Sequence, residues 1–228
     1  MVARSLGGLA LALAVASGGA APASAEEPVP IDQEPRHRLV FSNAHVRFFD
    51  VFLPPGYRSL MHVHHHDGVF VNIAPSETLA EDWSQPGVLR PGRTPGESYF
   101  IGYATRPKAH RVSNVGQSPY HVTDTEILRG CGTLKHAADK PVAPPVIVDN
   151  DRVRVTRLEL PPGGSATLHG PCGMLVSVTP ATLMLDAPGG RERLELEPAG
   201  FKWRQSDQSM SLTNAGTEAI LIVDILVK

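Results

Sequence analysis

An internal repeat constrains the fold of this chain more than any other feature of its sequence. The segment from Leu39 to His62 aligns with the segment from Val146 to His169 without a gap, at an offset of 107 residues. A second pair of segments, His110 to Asp124 and Met210 to Asp224, aligns at an offset of 100 residues. The simplest explanation is two copies of one domain, each of roughly 90 residues.

Short runs of alternating apolar and polar residues fill both copies. Examples are HVRFFDVFL in the first copy and RVRVTRLEL, ATLMLDA and AILIVDILV in the second. This period of two residues is typical of β-strands, and no long window shows the stripe of an amphipathic helix. The sequence therefore predicts an all-β chain of sandwiches or barrels. The predicted domains are 26–128 and 146–228, joined by a linker at 129–145 that is rich in Gly, Ala and Pro.

The first 25 residues have the pattern of a secretory signal peptide. A basic residue, Arg4, precedes an apolar run, and the small residues Ala23, Ser24 and Ala25 form a cleavage site before Glu26. We therefore expect an exported protein, periplasmic or secreted, with an uncleaved N-terminal anchor as the alternative. No later segment is long and apolar enough to span a membrane.

The charge of the mature chain excludes one class of partner. Loss of Arg4 reduces the 21 basic residues to 20 against 23 acidic ones, a net charge of −3. Such a surface does not attract a phosphate backbone, so we expect no nucleic acid partner. The expected partner is a small-molecule ligand or substrate, and the sequence leaves a homo-oligomer open.

Two histidine motifs follow one another in the first copy, and together they resemble the motifs of the cupin superfamily. The first is Gly, five residues and His-x-His, and the second is Pro-x-x-His followed by Asn after three residues. Their residues here are Gly56, His62, His64, Pro107, His110 and Asn114. With the repeat, the resemblance covers nearly the whole mature chain. It implies an all-β fold of two tandem cupin (jelly-roll) β-barrels, a bicupin.

The same motifs predict a metal site. His62 and His64 are two residues apart, so on a strand their side chains share a face. The resemblance implies that this face lines the barrel and that His110 brings the third imidazole. Three neutral imidazoles suit one divalent transition metal ion. The resemblance favours iron, with zinc, manganese, nickel and copper as alternatives. Solvated loop histidines are the competing interpretation, which the two motifs in order outweigh.

The first copy departs from the family pattern at the fourth ligand. The glutamate of the motif would fall at Gly68 or Val69, and neither residue can bind a metal. The fourth ligand therefore stays open between His66, Asp67 and water. His65 is expected to point outward, and the letters HDG that follow it are typical of a turn.

The second copy keeps the pattern but not the metal residues. His169 corresponds to His62, whereas Pro171 and Met210 replace the other two histidines. We therefore expect a purely structural second barrel, against the alternative of a second site formed by His169 and Cys172. The chain has one other cysteine, Cys131, and the sequence does not decide between a disulfide and two thiols.

Three further features have structural and functional interpretations that the sequence leaves open. The polar segment Pro75 to Ser98 is either a surface loop or a lid over the barrel mouth. Three aromatic residues follow it and line either a pocket or the core. They are Tyr99, Phe100 and Tyr103. The aspartates shared by the two copies, Asp124 and Asp224, are expected to serve structure in both.

Three classes of function compete on these grounds. The resemblance favours a mononuclear, metal-dependent dioxygenase of the non-haem iron type that acts on a small organic molecule, with an isomerase or lyase as a lesser variant. The alternative is a non-catalytic extracytoplasmic protein that binds a small ligand or a metal, because fold alone does not decide function. The third class is a structural barrel whose histidines bind nothing.

Overall fold

The computed structural model describes residues 27–83, 85–132, 145–205 and 209–228. The predicted signal segment, 1–25, and most of the predicted linker lie outside these residues. The described residues before the linker form ten strands. They are β1 (Val29–Pro30), β2 (His37–Ser42), β3 (Val46–Leu53), β4 (His62–His64), β5 (Asp67–Ala74), β6 (Thr78–Asp82), β7 (Val88–Arg90), β8 (Ser98–Ile101), β9 (Lys108–Asn114) and β10 (Tyr120–Ile127).

The part of the chain after the linker repeats this arrangement with nine strands among the described residues. They are β11 (Val146–Asp149), β12 (Val153–Leu160), β13 (Ser165–Leu168), β14 (Cys172–Ser177), β15 (Ala181–Ala187), β16 (Gly190–Leu196), β17 (Phe201–Gln205), β18 (Met210–Asn214) and β19 (Ile220–Val227). A short 3-10 helix, Ile31–Gln33, lies between β1 and β2. The prediction of an all-β chain is confirmed. Within the described ranges, no helix is long and apolar enough to cross a membrane.

Each half of the chain forms two sheets. In the first half the strand orders are β1-β4-β9-β6-β7 and β2-β3-β10-β5-β8. In the second half they are β11-β12-β19-β14-β17 and β13-β18-β15-β16. We call the sheet that contains β4 and β9 the histidine sheet. The two halves share one topology, because β3, β10, β5 and β8 match β12, β19, β14 and β17.

The residues that are identical in the two copies make identical turns. Asn43 and Asn150 each accept backbone hydrogen bonds from the residues two and three positions later. Asn114 donates its side-chain amide to the backbone oxygen of Leu53, and Asn214 makes the same bond to Leu160. The repeat in the sequence therefore preserves the side chains that hold the loops.

The inner strand β5 is buried on both faces, because its alternate side chains pack into two different hydrophobic clusters. Val69, Val71 and Ile73 point into a hydrophobic cluster that also contains side chains of the second half. Phe70, on the opposite face, packs inside the first half. The equivalent strand β14 behaves alike, because Met174 joins the shared cluster. A strand covered on both faces has a nearly continuous apolar sequence, as VFVNIA and MLVSV do.

The two halves are joined by this shared cluster and by two specific links. The rings of Phe48 and Phe201 lie 4.7 Å apart across it. The Asp67 carboxylate accepts a hydrogen bond of 2.9 Å from Arg152. Cys131, which follows β10, forms a disulfide with Cys172 at the start of β14. The question that the sequence left open about the cysteines is thus resolved in favour of pairing.

Two predictions about loops were wrong. The letters HDG do not form a turn, because Asp67 and Gly68 begin β5, and the chain changes sheets at residues 65 and 66. The segment from Pro75 to Ser98 is not one long loop, since β6 and β7 form the edge of the histidine sheet. In both places tertiary hydrogen bonding overrides the local turn signals.

Candidate metal centre

The three predicted histidines come together on two paired strands. His62 and His64 lie on β4, and His110 lies on the neighbouring strand β9, directly opposite His62 in the antiparallel register. The imidazoles of His62 and His64 are buried, whereas Val63 between them is only half-buried. The expected alternation along β4 is therefore present. His65 is exposed and His66 partly so.

The imidazole rings converge closely enough to share one ion. One nitrogen from each of the three side chains lies within 4.8 Å of the other two. The Nε2 atoms of His64 and His110 are 3.0 Å apart. The ring centroids of His62 and His110 are 4.7 Å apart. These separations suit three nitrogen ligands of one transition metal ion.

The hydrogen bonding of the His62 ring also favours a bound metal. His62 Nδ1 donates to the backbone oxygen of Leu60 at 2.9 Å, so its Nε2 carries a lone pair. That buried Nε2 has no hydrogen-bond partner among the described residues. A buried acceptor without a donor is costly, and a cation among the three rings would satisfy it.

The electrostatics keep the rings neutral. Burial, and then the neighbouring His37, lower the pKa of His62 to about 3. Burial also lowers the pKa of His64 and of His110 well below the ordinary value, and the adjacent imidazoles add to the effect. Neutral imidazole is the form that binds metal, so the site is ready to bind at any pH near neutrality.

Asp124 has a different environment from its counterpart in the second half. Its carboxyl group lies 3.5 Å from His64 Nδ1, and in the part of the chain that the structure describes neither of its oxygens has a hydrogen-bond partner. Burial, and then Glu126, raise the pKa of Asp124 well above the ordinary value. Asp224 instead accepts hydrogen bonds of 3.0 Å from Arg204. Asp124 therefore stands behind a predicted ligand, in the place from which carboxylates orient metal-binding histidines.

Sequence reasoning missed a second acid–histidine pair, Glu34 and His37. The ring of His37 packs against that of His62, with centroids 4.2 Å apart. Its Nδ1 bonds to the Glu34 carboxylate at 2.6 Å, and both side chains are buried. His37 begins β2, in the other sheet of the first half, so its contact with His62 joins the two sheets. No motif marks these residues, since they precede the repeated segment.

The candidate fourth ligands do not join the cluster. Asp67 accepts hydrogen bonds from Arg152 and from the backbone of Ala104, which occupy both of its oxygens. His66 lies outside the group of nitrogens that converge. Gly68 leaves no room for a larger residue, since a Cβ there would lie 3.0 Å from the Asp124 carboxylate. Of the three alternatives, water or a bound ligand is the one these contacts favour.

The second half has an apolar interior where the first has histidines. The repeat predicts that Met210 lies opposite His169, as His110 lies opposite His62. Met210 instead pairs with Leu168, one residue earlier in the chain. Both side chains are buried in an aliphatic cluster. His169 is exposed, and no described metal-binding group includes it. A second group, His45 with Cys131 and Cys172, has suitable spacing, but the disulfide uses both sulfurs.

A cavity opens beside the histidines. Its volume is about 120 Å³, and His110 and Tyr103 form the side nearest the metal ligands. The ring of Tyr103 stacks on His64 with centroids 4.7 Å apart. Tyr99 also lines the cavity, while Phe100 points the other way into the cluster shared by the halves. The aromatic residues after β7 thus serve a pocket and the core in alternation.

Comparisons with known proteins show the fold. No protein-family model and no curated protein sequence matches the chain. AerE from Microcystis aeruginosa matches with 15% identity over 88% of this chain and 98% of that chain, with a TM-score of 0.59. The pirin YhhW from Escherichia coli, in complex with nickel(II), matches with 13% identity over 84% and 90% of the two chains, with a TM-score of 0.55.

A third similar structure is the formate complex of oxalate decarboxylase from Lactobacillus farciminis. It is 12% identical over 80% of this chain and 77% of that chain, with a TM-score of 0.55. These structural neighbours are cupin-fold proteins, and the chain has the jelly-roll fold that they share. The predicted fold is therefore confirmed. At such low identities the likeness concerns the fold alone.

Proposed function

We propose that the protein is a metal-dependent enzyme with one metal centre, in which His62, His64 and His110 bind a single divalent transition metal ion, iron by preference. The observation that carries this proposal is the approach of two uncharged imidazole nitrogens to 3.0 Å in a buried site. These two nitrogens would share either one proton or one cation, and the third ring favours the cation, because His62 Nε2 is a buried acceptor without a partner among the described residues.

The proposed reaction is oxygenation of a small organic molecule. Iron(II) held by these three imidazoles would supply the redox chemistry that a reaction with dioxygen requires. The chain itself orients one ligand through the Leu60 carbonyl at His62, and the Asp124 carboxyl group lies 3.5 Å from the Nδ1 of a second ligand, His64. Tyr103 covers the face of His64 and excludes water from that side.

Metal loading followed by an oxygen electrode tests this proposal. The purified mature protein is stripped with a chelator and loaded separately with iron(II), manganese(II), nickel(II) and zinc(II). We expect about one ion per chain, and oxygen uptake by the iron form with phenolic, diketone or thiol compounds. His64→Ala should lose both, and His65→Ala neither. Failure to retain any metal would refute the proposal. Metal retention without oxygen uptake would favour the non-catalytic binding protein.

Export is part of the same proposal. The first 25 residues support it, and the disulfide is consistent with an oxidising compartment. N-terminal sequencing of the protein from the periplasm or medium of an expressing bacterium should give Glu26 as the first residue. A soluble product in the cytoplasm that retains Met1 would refute this part.

A further inference from the structure

The cavity beside His110 carries an excess of positive charge. Among the described residues its lining includes three basic side chains, Arg90, Arg93 and Lys108, and no acidic one. Two of the three are already engaged. Lys108 pairs with Asp82 at 2.8 Å, and Arg93 pairs with Glu97 while covering the ring of Tyr99 at 4.4 Å.

Arg90 differs from the other two. It ends β7, at the exposed edge of the histidine sheet, and among the described residues no hydrogen bond or ion pair engages its guanidinium. It lines the cavity together with His110, Tyr99 and Tyr103. The cavity thus has an unpaired planar cation facing the same space as a predicted metal ligand.

The ligand set adds to this excess of charge. Three imidazole ligands bring no negative charge to a divalent ion, and Gly68 stands near the place where the family pattern has a carboxylate ligand. A buried cation without a counter-ion is unfavourable, and an anionic ligand from outside would neutralise it. The cavity is also lined by aromatic and apolar side chains, among them Phe70, Tyr99 and Val112.

Resting on the proposed function, we propose that this site takes a small organic carboxylate with a planar or apolar body. Its carboxylate lies between the metal position and the Arg90 guanidinium, and its body lies against Tyr99 and Tyr103. Arginine suits this role because its planar fork matches the two oxygens of a carboxylate. A cavity of about 120 Å³ limits the ligand to a few carbon atoms or a single ring.

Binding of matched acids and amides tests this inference without relying on turnover. Acetate, benzoate and phenylacetate are titrated by calorimetry into the zinc-loaded protein, each against its neutral amide. We expect at least one acid to bind about tenfold or more tightly than its amide, as a charge-assisted hydrogen bond of about 1.5–3 kcal/mol implies. Arg90→Gln should remove that preference, and Arg90→Lys should restore part of it. The control Arg191→Gln, on an exposed hairpin of the second half, should bind like the parent.

The outcomes separate this inference from the proposed function. Metal content is measured in every sample before titration. If the metal content is full, two results overturn the carboxylate assignment and leave the metal centre intact. One is equal binding of acids and amides by the parent, and the other is unchanged binding by Arg90→Gln. A protein that retains no zinc refutes the metal centre. In that case the metal-free protein is titrated with the same compounds. A preference for acids that disappears in Arg90→Gln would still support the role of Arg90, and equal binding of acids and amides would overturn that role.

Discussion

His62 and His64 have the same orientation because they are separated by one residue on a strand, and this parity leads to a sharp prediction for single substitutions. We expect metal binding to weaken by more than about 100-fold in each of His62→Ala, His64→Ala and His110→Ala. Removal of a ligand should cost more than removal of a residue that only supports a ligand, which typically costs about 10- to 100-fold. His65→Ala should bind like the parent, because His65 is exposed. His66→Ala should come close to it. Titration with a competing chelator measures these affinities.

An equal loss in His65→Ala and His64→Ala would contradict the register of β4. The side chains would then be displaced by one residue along the strand, and the pairing of His62 with His110 could not hold. His45→Ala provides a further control, because His45 lies beside the disulfide, at a different place from the three histidines.

The Glu34–His37 pair predicts a pH dependence of stability. Burial raises the pKa of Glu34, but hydrogen bonds from His37, the Arg36 backbone and Tyr57 outweigh it and bring the pKa from 4.5 to about 2. A carboxyl with a lowered pKa stabilises the fold above its unfolded pKa, and this contribution is lost as the pH falls through the folded pKa. The free energy of unfolding of Glu34→Gln should therefore lie below that of the parent at pH 7, and the gap should shrink between pH 4.5 and pH 2.

Urea denaturation of the metal-free proteins at several pH values measures this gap. Glu77→Gln is the matched control, because Glu77 is an exposed glutamate of the same half. A gap that stays constant down to pH 2 would show that Glu34 stabilises the fold through packing rather than through its charge.

Sequence reasoning identified the three histidines and missed their neighbours for a physical reason. The spacing of His62 and His64 is local, and His110 lies in a motif with its own pattern. His37 reaches the site from β2, in the other sheet, and no local period encodes a contact between two sheets. Asp124 was visible as a repeated residue, but its contact with His64 depends on Ile101 occupying the place that Arg204 has in the second half.

At the level of the strands, β5 shows how packing on two faces restricts the sequence. Gly68 is the second residue of β5 and lies beside Asp124 and the ring of Phe70. A Cβ at Gly68 would lie 3.0 Å from Asp124 Oδ1 and 3.0 Å from Phe70 Cε2, so one of them must move. We expect Gly68→Ala to lower the free energy of unfolding by about 1–3 kcal/mol, as overpacking does.

The matched control is Gly102→Ala, where the nearest atom to a new Cβ is 3.7 Å away. Urea denaturation of the metal-free proteins compares the two variants. A Gly68→Ala protein as stable as Gly102→Ala would mean that Asp124 moves freely, which would also weaken its assignment as a support for His64.

The strands themselves were easier to predict than their ends. Alternation over Val153 to Leu160 and over Val46 to Leu53 predicts β12 and β3, and both are present. The start of β5 was mistaken for a turn, because Asp-Gly is a turn signal in isolation. Asp67 is instead held by Arg152 from the other half, a contact between residues 85 positions apart.

Across the whole molecule, the disulfide fixes the end of the first half to the shared cluster. It links residues separated by 41 positions, for which the loop-entropy model predicts a stabilisation of about 4 kcal/mol. Reduction, or the double change of Cys131 and Cys172 to Ser, should lower the free energy of unfolding by about that amount. Metal content should not change, since the histidine sheet contains neither cysteine. Equal stability of the reduced and oxidised parent would contradict the pairing.

The asymmetry between the halves leads to a prediction about stoichiometry. Both halves have one topology, yet only the first brings nitrogen ligands together, and the matching positions of the second hold Leu168 and Met210 in an aliphatic cluster. An apolar interior offers no ligand and strongly disfavours a bare cation. The purified protein should therefore bind about one divalent ion per chain, and His169→Ala should leave that number unchanged. Elemental analysis after dialysis against excess zinc decides the matter. A value near two in the parent that falls to one in His169→Ala would show that the second half has a metal site of its own.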